Sequence, residues 1–201
     1  ILALIAFYFD KKDKRKLNLI IMEDNDIADN YYYEVIVYTG GRANSGTKSN
    51  VKLILSGDKN DTEPRSLNKT NKDLLQRSNV DSFIMSVDRP LGNLNYLRIW
   101  HDNSGLAGTA SWYLKFVVVH DLQTREKFYF ICQNWLAIEK GDGQIDRLIP
   151  VSCEEQKTKF KYLLEKQAKQ KLSDGHLWFS LIARPPQSSF TRLDRLTCCF
   201  V

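Results

Sequence analysis

Two turn segments hold the polar residues best suited to bind a metal ion. Asp102 and Asn103 directly follow an apolar strand pattern, and their side-chain oxygens are the hard ligands that calcium prefers. The second segment is a glycine-rich turn, whose candidate oxygen ligands belong to Thr39, Gly41 and Asn44. Together they predict a weak calcium site, because a single aspartate supplies little charge for tight binding. The alternative is ordinary turn chemistry, in which Asp and Asn side chains hydrogen-bond to their own backbone.

Residues suited to catalysis form no recognisable constellation. The three histidines, His101, His120 and His176, lie far apart in the sequence, and two of them end apolar strand patterns. The sequence contains neither a Gly-x-Ser-x-Gly elbow nor a phosphate-binding glycine loop. We therefore expect a protein that is not an enzyme.

Charge is distributed unevenly along the chain. The formal net charge is +5, yet residues 31–150 carry 15 cations against 13 anions, and residues 151–201 carry nine against five. The nearly neutral central part gives no reason to expect nucleic-acid binding. The basic tail favours attraction to anionic phospholipid headgroups. The four cysteines lack metal-ligand spacing and fit a reducing compartment as thiols.

The first nine residues are all apolar or aromatic, and residues 10–16 then supply five cations. A spanning helix needs about 20 apolar residues. The pattern therefore predicts the end of a transmembrane helix at residues 1–9, held on the cytoplasmic side by the cations behind it. The alternative is a buried first strand or core helix. Residues 10–30 are predicted to be a basic and acidic linker.

Residues 31–149 show the two-residue period of β-strands, separated by turns rich in Gly, Asn, Asp and Pro. Seven or eight short strands without a convincing helix between them predict an all-β antiparallel sandwich, with two four-stranded sheets. Period-2 alternation places five residues in its core: Leu97, Ile99, Leu114, Phe116 and Val118.

After Pro150 the period changes. Residues 154–172 place apolar side chains on one stripe and lysines on much of the remainder, which predicts an amphipathic helix. This helix either docks with a solvated basic face or lies on a membrane surface. Residues 173–201 read as a segment that approaches a second transmembrane helix, so we expect residues 150–201 to connect the sandwich to the membrane.

Trp112 follows a loop of small residues, 106–111, and is either a core anchor or a probe of the membrane interface. If that loop meets headgroups, Arg42 and Lys48 each add attraction of about 1 kcal/mol to anionic lipid. These three residues are the predicted lipid contacts.

Five blocks, in this order and spacing, resemble a PLAT domain over residues 31–149. They are Tyr38–Gly41, Ser45–Val51, Leu97–Gly105, Trp112–Asp121 and Trp135–Leu136. The later run Asp174–Phe179, with Cys198 and Cys199, is similar to the polycystin-1 family in particular.

The resemblance implies a non-catalytic regulatory domain in a cytoplasmic loop of a multi-pass membrane protein. It also implies binding of anionic phospholipids and calcium, and a polycystin-2-type channel subunit as partner of the parent protein. Two positions depart from the pattern. Lys48 stands where many PLAT domains have an aspartate, and Asn79 follows Arg77 and Ser78 at the family's kinase site. The alternatives are a protein-interaction module without lipid binding and an accessory domain of a lipase or lipoxygenase.

Overall fold

The computed structural model describes residues 19–68, 73–106 and 108–153, together with Thr158. The predictions for residues 1–18, and those for the helix and pre-membrane segment after residue 153, lie outside these residues. Nine strands are present in the described part: β1 (Leu19–Ile21), β2 (Tyr31–Thr39), β3 (Val51–Gly57), β4 (Arg65–Ser66), β5 (Val80–Val87), β6 (Leu94–His101), β7 (Trp112–Asp121), β8 (Lys127–Leu136) and β9 (Asp146–Pro150).

The strands form two sheets, which confirms the sandwich. One sheet has five strands in the order β1-β5-β2-β7-β8, and the other has four in the order β4-β3-β6-β9. The alternating residues of β2 that face the second sheet, Tyr33, Val35 and Val37, are completely buried. Leu53 on β3 and Leu97 on β6 meet them from the other side, because a two-residue period sends every second side chain inward.

All five predicted core residues are buried, but two of them, Phe116 and Val118, lie on the opposite face of the sheet from the central core. Leu114 belongs to the core. Directly after Leu114, strand β7 has one residue more than its partner β2, so Val117 faces inward in place of Phe116. Phe116 and Val118 then point to the outer face of the five-stranded sheet, where Phe116 stacks on Tyr38 at 4.0 Å between ring centroids. A β-bulge reverses the alternation in this way, and no residue type in the sequence marks it.

The large sheet has one strand more than predicted, because β1 lies in the segment expected to be a linker. Leu19–Ile21 pairs in parallel with β5, and Ile20 and Met22 are buried in the core. Three strand residues are too few to show a periodic pattern. The folded unit therefore begins before the predicted boundary at residue 31.

The loops gather at two ends of the sandwich. At one end β2 finishes, β5 and β7 begin, and the Nε2 atom of His101 lies 2.8 Å from the Leu136 carbonyl at the end of β8. We call this the upper end; its described loops are residues 40–50, 67–68, 73–79, 102–106, 108–111 and 137–145. The opposite, lower end consists of residues 22–30, 58–64, 88–93 and 122–126.

Candidate functional site

A row of two adjacent aromatic rings with a cation at each end crosses the upper end. The guanidinium of Arg42 lies 4.2 Å from the centroid of the Tyr113 ring. Tyr113 meets Trp135 edge to face, with centroids 5.3 Å apart, and the Lys140 ammonium lies 4.3 Å from the Trp135 ring. Each such cation–π contact contributes about 0.5–1 kcal/mol at an exposed site. We call these four residues the cation–aromatic row.

The sheet and one glycine position the row. Tyr113 and Trp135 are cross-strand partners on β7 and β8, and the Tyr113 hydroxyl donates a 2.8 Å hydrogen bond to the Gln133 carbonyl. Gly40 passes directly beneath the tyrosine: a Cβ there would lie 2.2 Å from the ring. Only glycine permits this close approach of backbone to ring. Trp135 and Lys140 were not predicted as site residues, because their proximity to Tyr113 depends on strand pairing and on the path of the loop after β8.

Trp112, predicted as a lipid contact, is a core anchor instead. Its side chain is fully buried, and its indole N–H donates a 3.1 Å hydrogen bond to the Thr39 hydroxyl. It therefore has no surface to offer a membrane. The other two predicted contacts, Arg42 and Lys48, are exposed on the upper end, as lipid contacts require.

The Asp102 half of the predicted calcium site is occupied by protein donors. One carboxylate oxygen accepts from the backbone N–H groups of Asn50 and Ser104, each at 3.0 Å, and the other accepts from the Asn50 side chain at 2.7 Å. Burial opposes ionisation, but these bonds outweigh it and hold the pKa of Asp102 well below its usual range. Asn103 sits in a left-handed turn beside it, with φ of 56°. Asp102 therefore has the backbone hydrogen bonds of an ordinary turn, which is the alternative to a calcium site.

In the other half of the predicted calcium site, Thr39 and Gly41 have hydrogen-bond partners of their own. The Thr39 hydroxyl accepts from Trp112, and the Gly41 carbonyl accepts a 3.0 Å bond from the Arg77 guanidinium. Asn44 is exposed, with a φ of 53°. Among residues 19–68, 73–106 and 108–153, no group of three or more His, Cys, Asp or Glu side chains is placed to hold a metal. The residues present therefore do not form a preassembled calcium site, and calcium binding stays a prediction.

His101 and His120, the two histidines in the described part of the chain, bond to different groups and not to each other. The His101 ring is buried, and its Nδ1 accepts from the Asn103 backbone N–H while Nε2 donates to the Leu136 carbonyl. Burial lowers the pKa of His101, which keeps the ring neutral and ties β6 to β8. His120 lies 3.3 Å from Glu34 on the outer face of the large sheet.

Residues 33–149 match the PLAT/LH2 domain family. The chain belongs to this family. Its curated relatives extend the similarity beyond the PLAT domain to nearly the whole chain. Human polycystin-1-like protein 3 is 37% identical over 191 residues, covering 94% of this chain and 11% of its own length. Human polycystin family receptor for egg jelly is 33% identical over 199 residues (98% and 9%), and human polycystin-1 is 33% identical over 171 residues (84% and 4%). The chain thus spans about a tenth or less of each of these proteins.

Solved structures share the fold of this PLAT domain. Coral 8R-lipoxygenase, described as activated by calcium through a C2-like domain, superposes with a TM-score of 0.50 at 18% identity, over 68% of this chain and 21% of that one. A LOX variant in complex with arachidonate gives a TM-score of 0.51 at 18% identity, over 61% and 17%. Within the described residues, no helix is long and apolar enough to cross a membrane.

Proposed function

We propose that this chain is a non-catalytic regulatory domain of a polycystin-1-like membrane protein, and that it binds anionic phospholipid on the cytoplasmic side. The similarity to polycystin-1-like protein 3 over 94% of the chain supports the proposal that the parent is a polycystin-1-like protein. By the same resemblance, we propose that the parent associates with a polycystin-2-type channel subunit. The domain then influences membrane placement or gating of that complex.

The cation–aromatic row is the observation that carries lipid binding. Arg42 and Lys140 lie at its two ends, and Lys48 adds a third cation on the same side of the sandwich. Trp135 is half-buried between them. Membrane–water interfaces favour tryptophan side chains that are partly buried and partly exposed to water. Calcium is not required in this proposal, because three cations meet the anionic surface directly.

Cosedimentation of the full chain with phosphatidylserine vesicles tests the proposal. Since each surface cation contributes about 1 kcal/mol, the double variant Arg42→Ala, Lys48→Ala should bind about 30-fold more weakly. Lys59→Ala, Arg89→Ala is a matched control, because both cations are exposed on lower-end loops. Equal binding by all three proteins would reject lipid binding through this end.

A second candidate function is protein interaction without lipid. Tyr96, Arg98 and Trp100 project from the outer face of the four-stranded sheet, beside Leu148, whose exposed fraction is 64%. Arg98 pairs with Asp146 and lies 5.1 Å from the Trp100 ring centroid. Trp, Tyr and Arg are the residue types that dominate binding energy in protein interfaces. Failure of the domain to float with any vesicle would favour this candidate.

A further inference from the structure

Strand β5 would be an open sheet edge without the short segment that contains β1. It has eight residues, and its other neighbour in the sheet is β2. Strand β1 covers the free side of β5 with only three residues, paired in parallel, and the Met22 N–H then donates a 3.1 Å hydrogen bond to the Ile84 carbonyl. A long uncovered strand is a template on which another chain can pair. We call residues 19–25 the entry strap.

The entry strap fills two apolar sockets and one charged socket. Its side chains alternate, so that Ile20 and Met22 are buried in the core while the residues on either side of them are exposed. The two apolar sockets lie about 6–7 Å apart, the distance between every second residue of a strand. Two residues further on, the carboxylate of Asp24 lies 3.0 Å from Nη2 of Arg65. Along β5 the sandwich therefore provides two apolar sockets followed by a cation.

Arg65 makes the charged socket selective for a carboxylate. The residue belongs to β4 of the other sheet, and only 8% of its surface is exposed. Its Nη1 donates to the Ser86 carbonyl of β5, while Nη2 donates to the Asp24 backbone carbonyl and to the Asn25 side chain. Its Nε is buried without a hydrogen-bond partner. Because an unpaired buried charge is strongly destabilising, the socket requires an anion, either from the strap or from a chain that replaces it.

Few backbone pairs hold the strap in place. Strand β1 shares three residue pairs with β5, whereas β2 shares eight with the other side of the same strand. Within the described sheets β1 is the last strand, so its outer side has no neighbouring strand. Segments with few such contacts open locally before a domain unfolds. An opening of this kind uncovers the β5 edge and both apolar sockets while β5 stays paired with β2.

We propose that the β5 edge and Arg65 form an exchangeable peptide-binding site, which the entry strap occupies in the absence of a partner. The partner is an extended segment of another protein with the pattern apolar-x-apolar-x-acidic. It pairs in parallel with β5, its apolar side chains replace Ile20 and Met22, and its carboxylate replaces that of Asp24. In strand addition of this kind, main-chain pairing supplies affinity and the side-chain sockets supply specificity. This site is separate from the proposed lipid contacts and does not depend on lipid binding.

A labelled peptide with the sequence of residues 17–26 tests the site. Fluorescence anisotropy measures its binding to the full chain and to the double variant Ile20→Ala, Met22→Ala, whose strap fills the apolar sockets poorly. The variant should bind the peptide at least about 10-fold more tightly than the unchanged protein, because each truncated side chain weakens the competing strap. A cooperative thermal transition would show that the variant is folded.

Two peptide variants with the same charge change separate the charged socket from general electrostatics. In the strap, Asp24 lies against Arg65, whereas the neighbouring Glu23 is exposed. The peptide carrying Asp24→Lys should bind at least about 10-fold more weakly, since it brings a cation to a buried cation. The peptide carrying Glu23→Lys should bind within about threefold of the unchanged peptide, because exposed charges contribute little.

Disulfide trapping reads out the register and needs no weakened strap. The peptide carrying Ile21→Cys should cross-link to Ile84→Cys of the full chain, because these two residues are partners in the parallel register. Ile36→Cys lies on the same face, one strand further into the sheet, and is the matched control. It should cross-link only at the background rate set by the four native cysteines.

The site is supported by tighter binding to the double variant, by a loss with Asp24→Lys alone and by trapping at Ile84→Cys. Equal losses for the two charge variants, or equal trapping at the two cysteine positions, would overturn it, as would an absence of both binding and trapping. If the double variant does not fold, the trapping result decides. Lipid binding by the same chain is unaffected by any of these results, so the two proposals fail separately.

Discussion

Replacing Gly40 with alanine tests how the cation–aromatic row is built. The added methyl group would lie 2.2 Å from Cδ1 and 3.0 Å from Cε1 of Tyr113, well inside van der Waals contact. The ring is closely packed, because Arg42 lies over it, Trp135 meets its edge and its hydroxyl is bonded to Gln133. To make room for the methyl group, the Tyr113 ring and the side chains in contact with it therefore have to shift together. Gly40 is not among the residues with positive φ, so the cost is steric and not backbone strain.

The expected loss of unfolding free energy is about 1–3 kcal/mol, the usual cost of overpacking. For a domain of this size it corresponds to a fall in melting temperature of about 2–12 °C. Urea unfolding followed by tryptophan fluorescence measures the loss. Gly41→Ala is the matched control, because its methyl group would meet only the flexible Ser78 hydroxyl, at 3.0 Å. The control should be close to neutral.

A double-mutant cycle with Tyr113→Ala decides whether contact with the Tyr113 ring causes the loss of unfolding free energy in Gly40→Ala. In that background the space opposite Gly40 is empty, so Gly40→Ala should cost little, and the coupling energy should nearly equal its original cost. The same loss in both backgrounds would refute the packing argument. Vesicle binding should weaken in Gly40→Ala as well, because Arg42 loses its platform.

Three further predictions concern the core, the buried histidine and calcium. Leu114→Ala should cost about 2–5 kcal/mol in urea unfolding, since the side chain is fully buried; a loss below about 1 kcal/mol would contradict its core position. The lowered pKa of His101 means that the unfolded chain takes up the proton first, so stability should fall as pH drops below about 6.5, by at most about 1.4 kcal/mol per unit, and this slope should vanish in His101→Gln. Vesicle binding should be equal in EDTA and in calcium; a calcium-dependent gain abolished by Asp102→Ala would show that the site assembles on binding.

Much of the sandwich was predictable, because long strands with one buried face must alternate. Leu97 and Ile99 on β6 show this rule without interruption. It failed at Phe116 and Val118, where a single extra residue on β7 exchanges the faces. It also missed β1, since Leu19–Ile21 pairs with a parallel strand about sixty positions away, and Arg65 bonds to Asp24 in the loop that follows. Neither contact leaves a local signal in the sequence.

The candidate site was predicted less well than the fold. Arg42 and Lys48 were found because exposed cations in a glycine-rich turn are visible in sequence. Trp112 and Trp135 were not told apart, although the first is the core anchor and the second belongs to the surface row. The distinction depends on which face of the strand each residue occupies, and thus on the strand register. For Thr39 and Gly41 the sequence showed available oxygens, but not that Trp112 and Arg77 already bind them.

The salt dependence of vesicle binding by the full chain tests the central claim most directly. Partitioning onto phosphatidylserine vesicles and onto phosphatidylcholine vesicles is measured between about 0.1 M and about 1 M salt, over which the screening length falls from about 10 Å to about 3 Å. The proposed function predicts binding to the anionic vesicles only, with a progressive loss as salt rises. Equal binding to both lipids, or binding to phosphatidylserine that does not change with salt, would contradict it.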